Sequence, residues 1–109
     1  IKPTRMILEK FILPKPGDGP SPEAQKKGFF DLRFMGKTPN GNKMNVKVTG
    51  DRDPGYGSTA KVLAETGILL AIGLSKTDKP GGFWTPASAF GNSLIERLKT
   101  QAGLTFETI

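Results

Sequence analysis

Between residues 28 and 49 apolar and polar side chains alternate. Phe30, Leu32 and Phe34 take turns with Asp31 and Arg33, and Met44, Val46 and Val48 take turns with Asn45, Lys47 and Thr49. A period of two marks strands with one face toward a core. The two runs are joined by Thr38-Pro39-Asn40-Gly41-Asn42. A two-residue Asn-Gly loop would set Phe34 opposite Lys47 and turn the two apolar faces away from each other. A three-residue loop, Pro39-Asn40-Gly41, sets Phe34 opposite Val46 and Leu32 opposite Val48, so both apolar faces coincide. It also gives Pro39 the fixed φ of a type I turn and Gly41 the left-handed position of a bulge. The pattern predicts an antiparallel hairpin in that register.

Helical spacing occupies most of the remainder. Ile7, Leu8, Phe11 and Ile12 fall on one stripe of a short amphipathic helix within residues 1–13, with Pro3 in its first turn and Pro14 ending it. Lys15 to Pro22, KPGDGPSP, reads as a turn-rich connector. Ser21 then caps a helical turn that starts at Pro22 and stops at Gly28. Ser58 to Gly73 is a helix whose apolar residues, Val62, Leu63, Ala64, Gly67, Ile68, Leu70 and Ala71, cover most of its circumference. Burial on most sides is therefore expected. A further helix has Thr85 as N-cap, Pro86 as first residue, Phe90, Leu94, Ile95 and Leu98 as inner stripe, and Gly103 as stop. Leu104 to Ile109 is a last short strand.

The order predicts an α+β fold in a single domain, 1–109. Its antiparallel or mixed sheet is the hairpin (about 28–49) plus the C-terminal strand (about 104–108), with helices packed on one face.

Composition narrows the chemistry. The 109 residues contain no Cys and no His. Disulfides, thiolate metal sites, zinc sites and a Ser-His-Asp triad are excluded within the chain, and no metal is expected. The net charge is +6. The cations are scattered, with Lys26-Lys27 the sole adjacent basic pair, so a solvated basic surface is the better reading and nucleic acid is not the expected partner. The longest apolar run, Gly67 to Leu74, is too short to cross a bilayer, and nothing at the N-terminus resembles a signal peptide. A cytoplasmic protein is expected.

One segment gathers candidate chemistry: Thr49-Gly50-Asp51-Arg52-Asp53-Pro54-Gly55-Tyr56-Gly57-Ser58-Thr59-Ala60. It leads from a strand into a helix, whose free N–H groups favour an anion. Arg52 can grip a carboxylate in a two-pronged pair, and Tyr56, Ser58 and Thr59 can orient a bound group. Trp84, ahead of the last helix, can line the same cleft. The candidate substrate-binding set is therefore Arg52, Tyr56, Ser58, Thr59 and Trp84. A purely structural turn, in which Asp51 or Asp53 holds Arg52 and the loop amides, uses the same residues. Gly55 to Ala60 also matches the spacing G-x-G-x-x-A of dinucleotide-binding turns. The preceding strand alternates and belongs to a hairpin, and two carboxylates stand just before the first glycine, so no cofactor site is expected here.

Three segments together, KPGDGPSPEAQKKGFF, VTGDRDPGYGSTAKVLAETGILLA and GGFWTPASAFGNSLIERLKTQAGLTFE, resemble the C-terminal region of saccharopine dehydrogenase-like oxidoreductases, in the branch that includes bacterial trans-acting enoyl reductases. The resemblance runs from Pro14 onward. It implies a parent enzyme with an N-terminal Rossmann domain that binds NAD or NADP, absent from these residues. The present chain would then be a C-terminal substrate or dimerisation domain facing a small-molecule substrate, inactive alone. No catalytic residue carries over. The alternatives are a stand-alone homodimeric binding module and a weak basic nucleic-acid-binding domain.

Overall fold

The computed structural model describes residues 2–12, 15, 17–75, 77 and 79–109. Its strands are β1 (Phe30–Lys37), β2 (Lys43–Gly50) and β3 (Leu104–Thr108), and its helices are α1 (Lys2–Phe11), α2 (Pro22–Lys27), α3 (Gly57–Ile72), α4 (Pro86–Phe90) and α5 (Asn92–Gln101). The fold is α+β, as the order of elements predicts.

The hairpin takes the register that aligns its apolar faces, with Phe34 opposite Val46 and Leu32 opposite Val48. Thr38 N–H donates to Asn42 O and Gly41 N–H to Thr38 O, both at 2.9 Å. Gly41 adopts φ +87°, the left-handed position required to leave this turn. The sequence leaves the neighbour and direction of the last strand open. In the structure β3 runs antiparallel beside β2, Phe106 opposite Val48 and Leu104 opposite Gly50, giving the order β1-β2-β3. On the far face Thr49 and Thr105 join through their hydroxyls at 2.6 Å.

A small core lies against one end of the apolar face. Leu69 of α3, Leu94 and Leu98 of α5, Ala102 and Leu104 are buried, and Phe30, Val48, Val62, Phe90 and Phe106 pack around them. Arg97 of α5 donates from Nε to Glu65 of α3 at 2.6 Å, closing the edge of this layer.

Two expectations are corrected. The run from Pro86 is not one helix: Gly91, at φ 53° and ψ −130°, separates α4 from α5. Thr85 nevertheless caps α4 reciprocally with Ser88, as a capping box. Helix α3 is not enclosed, because α5 meets one side of it only; Leu63, Leu70 and Ile72 remain 72%, 63% and 77% exposed. Gly28 ends α2 as expected, in an extended conformation. Pro14, expected to end α1, lies outside the described residues. Every residue of α1 is exposed, including Ile7, Leu8 and Phe11.

The chain consequently exposes far more surface than a compact protein of its mass. Its accessible area is 8823 Å², against about 5,900 Å² for a compact protein of 11.7 kDa. Its radius of gyration is 19.2 Å, against about 13 Å for a compact chain of this length. Leu32, Phe34 and Met44 continue the apolar sheet face beyond the helices and are 51%, 55% and 62% exposed. Among the described residues no helix is long and apolar enough to cross a membrane.

Gly50 sits where the Phe30 ring crosses β2, and a Cβ there would overlap the ring. Gly50→Val is expected to destabilise the fold by about 1–3 kcal/mol through overpacking, read as a lower urea midpoint at constant m-value. Retention of the wild-type midpoint would show that Phe30 does not press on this strand.

Candidate functional site

The loop between β2 and α3 holds Arg52 and Tyr56, the first turn of α3 holds Ser58 and Thr59, and Asp53 organises both. The Asp53 carboxylate accepts the N–H of Tyr56 at 3.0 Å and of Gly57 at 2.9 Å. Its main-chain carbonyl accepts the N–H of Ser58 at 2.9 Å, and its own N–H donates to Gln25 O of α2 at 3.1 Å. At the start of α3 the Gly57 and Ser58 N–H groups, which would otherwise favour an anion, are thus taken by the carboxylate and the main-chain carbonyl of Asp53.

The hydroxyls are engaged too. Ser58 is 2% exposed and donates to Arg52 O at 3.0 Å. Thr59 donates to Pro54 O at 2.6 Å. Tyr56 caps nothing through its side chain; its ring lies against Gly19, where an added Cβ would come 3.1 Å from Cζ. Gly19 of the connector therefore packs on the loop. Asp51 holds Lys61 of α3, with Nζ at 2.9 Å, rather than Arg52.

Arg52 is different. Its aliphatic stem lies over Gly57, where a Cβ would meet Arg52 Cβ at 2.9 Å. Its backbone carbonyl is fixed by Ser58, and among the described residues its guanidinium has no ion-pair or hydrogen-bond partner. Of the candidate set, Arg52 alone combines a fixed backbone with an unspent charge.

Beside this loop a cleft of about 320 Å³ is lined by Phe30, Leu32, Pro54, Ser58, Thr59 and Val62. Its walls are the uncovered end of the sheet and the first turns of α3. With both hydroxyls donating to carbonyls, the cleft is a largely apolar receptacle whose described lining keeps only the two hydroxyl oxygens as acceptors.

The structure does not bring Trp84 to this cleft. Trp84 lines a separate groove between α3 and α4 with Leu63, Gly67, Leu70 and Phe90. Its indole N–H donates to Pro80 O at 3.1 Å, and Lys79 Nζ stands 4.8 Å from the ring centroid, a cation–π contact. The Lys79 ammonium also donates to Ser88 O at 3.1 Å. Sequence reasoning missed this second groove. Its signal was the exposed row Leu63, Gly67, Leu70 on a helix read as enclosed.

The Gly55–Ala60 turn does not fit a dinucleotide. Gly57 makes room for the Arg52 stem, not for a pyrophosphate, and the Asp53 carboxylate occupies the N–H groups that a phosphate would need. Among the described residues no cluster of three metal-ligating side chains occurs.

These geometries give a direct comparison. Asp53→Ala is expected to cost about 1–2 kcal/mol, the range for losing a helix N-terminal cap. Arg52→Ala is expected to leave stability within about 0.5 kcal/mol. Thermal unfolding of the two variants checks both; a larger loss for Arg52→Ala would make its guanidinium structural.

No family model matches the chain, and no solved structure matches it significantly. Several curated proteins do match. A Mycobacterium tuberculosis H37Rv protein, provisionally named a trans-acting enoyl reductase, is 38% identical over 101 residues, 93% of this chain and 24% of the relative. The trans-acting enoyl reductase of Mycobacterium bovis BCG is 34% identical over 94 residues, 86% of this chain and 22% of the relative. That of Mycobacterium ulcerans is 33% identical over 87 residues, 80% of this chain and 21% of the relative. The chain spans about a quarter of the length of these relatives, and along that quarter it is homologous to proteins named trans-acting enoyl reductases.

Proposed function

We propose that the chain forms the substrate-facing wall of a larger NAD(P)-dependent oxidoreductase of saccharopine dehydrogenase-like architecture, whose nicotinamide is held by a Rossmann domain outside these 109 residues. The observation that carries this reading is the similarity to reductases about four times as long, which extends over 93% of the chain. The surface supports it: the apolar sheet end and α3 are left bare, as they would be if other parts of a larger enzyme covered them.

The chemistry divides accordingly. Reduction of an enoyl group, the reaction in the relatives' name, needs a hydride and a proton. The Asp51–Thr59 loop has no place for the hydride carrier, because Asp53 already fills the start of α3. Its contribution is binding and orientation. The apolar cleft receives the carbon skeleton of a small-molecule substrate, and the Arg52 guanidinium holds an anionic group on it. A cytoplasmic setting goes with this reading, since the nicotinamide cofactors are soluble.

Two measurements test it. Calorimetric titration of NADH and NADPH into the 109-residue chain is expected to show no binding, and titration into the longer enzyme is expected to show micromolar binding of one of them. Micromolar binding by the isolated chain would overturn the division of labour. In the longer enzyme Arg52→Ala is expected to raise KM about tenfold or more, the loss of a charge-assisted hydrogen bond. An unchanged KM would remove Arg52 from the site.

A further inference from the structure

Strand β1 is an edge. It pairs with β2 on one side and, among the described residues, with nothing on the other. It is also the longer of the two edges, eight residues against five for β3. Natural edge strands are commonly kept short, bulged, or interrupted by proline, because a bare row of N–H and C=O groups recruits another strand. Across Phe30–Met35 β1 has no proline and no bulge, its charged residues Asp31 and Arg33 are of opposite sign, and Leu32, Phe34 and Met35 are 51%, 55% and 87% exposed.

The sequence of this edge is its own complement. From Gly28 to Gly36 it reads Gly-Phe-Phe-Asp-Leu-Arg-Phe-Met-Gly, centred on Leu32. Laid antiparallel against a second copy with the two Leu32 residues opposite each other, Asp31 meets Arg33, Phe30 meets Phe34 and Phe29 meets Met35. Each of these pairs occurs twice by symmetry. From Phe29 to Met35 opposite charges and apolar pairs face each other, and the one like-charge pair of this register, Lys37 opposite Lys27, lies beyond them where α2 ends.

The backbone agrees with this register. Hydrogen-bonding directions alternate along a strand. The Thr38 N–H to Asn42 O bond turns the even residues of β1 toward β2. Asp31, Arg33 and Met35 therefore aim their N–H and C=O groups outward, and the register joins Asp31 of one copy to Arg33 of the other through both main chain and side chain. Within one chain Arg33 already holds Asp31, Nε to Oδ1 at 3.2 Å, and this keeps the Asp31 carboxyl below its ordinary pKa. Both groups are thus charged near neutrality and free to exchange that contact for the cross-strand one.

We propose that two copies of this chain associate through β1, antiparallel and centred on Leu32, into a continuous six-stranded sheet. A two-fold axis perpendicular to the sheet keeps both apolar faces on the same side. Leu32 and Phe34 of the two copies then form one apolar floor between the two helical layers. The proposal concerns the sheet edge alone and stands whether or not the reductase reading holds.

The test uses charge reversal in the 109-residue chain, with sedimentation equilibrium as readout and far-UV circular dichroism as the check on folding. Asp31 and Arg33 side chains are 33% and 66% exposed, so their replacement leaves the core untouched. The wild-type chain is expected to be a dimer. D31R sets two guanidinium groups opposite each other at both symmetry-related sites, and R33D sets two carboxylates there. Each variant alone should therefore dimerise at least about tenfold more weakly than wild type. An equimolar mixture of the two variants restores opposite charges at both sites and should form a one-to-one dimer. Both variants lack the contact between positions 31 and 33 within the chain, so recovery on mixing cannot come from that contact. A monomeric wild type, single variants that dimerise as well as wild type, or no recovery on mixing would each overturn the proposal.

Discussion

The Asp53 carboxylate accepts the N–H groups of Tyr56 and Gly57, while its main chain receives Ser58 and reaches back to Gln25 of α2. One residue thereby fixes the start of α3, the path of the loop from β2, and the position of α2 beside it. Most of the candidate site follows. The Ser58 hydroxyl comes to rest on the Arg52 carbonyl, Gly57 is pressed by the Arg52 stem, and the Arg52 guanidinium is left over as a cation without a partner among the described residues. A helix start that looks ready for a phosphate is already closed by an internal anion, so the ligand chemistry available to this loop lies in Arg52 and in the apolar cleft beside it.

The second constraint is the small extent of the core. Five apolar residues among those described are buried, while the same sheet face runs on through Leu32, Phe34 and Met44 in contact with solvent. Apolar surface of this kind is removed from water with a gain of about 25 cal/mol per Å², and the exposed area exceeds that of a compact chain by thousands of Å². The clefts beside α3 and the bare β1 edge are parts of one exposed surface. The two coverings proposed above, by the remainder of a longer enzyme and by a second copy, are compatible, because the first concerns the sheet face and the helices and the second concerns an edge.

Much of the architecture was legible because it rests on local rules. The hairpin register follows from requiring Phe34 and Val46 to share a face, and Ser21-Pro22 and Thr85-Pro86 mark helix starts by their capping chemistry alone. What was not legible depends on contacts distant in sequence. Phe90, Leu94 and Leu98 keep helical spacing straight through Gly91, so nothing in the apolar pattern shows the break. The direction of β3 is decided by its pairing with β2, and the exposed sides of α3 by the single helix that meets it. At the site, Asp51 and Asp53 are equivalent in sequence. Only the fold shows that the first pairs with Lys61 and the second caps α3. Trp84 belongs to another groove for the same reason: its indole is tied to Pro80 and its ring to Lys79.

The central claim, that Asp53 closes the start of α3 to phosphate groups, is tested most directly by following individual amides. In nitrogen–proton correlation spectra of the 109-residue chain, the Tyr56, Gly57 and Ser58 signals should stay in place as inorganic pyrophosphate is added to millimolar concentration. Saturable movement of those three signals would show that an external anion displaces the Asp53 carboxylate and that the loop is a phosphate site after all.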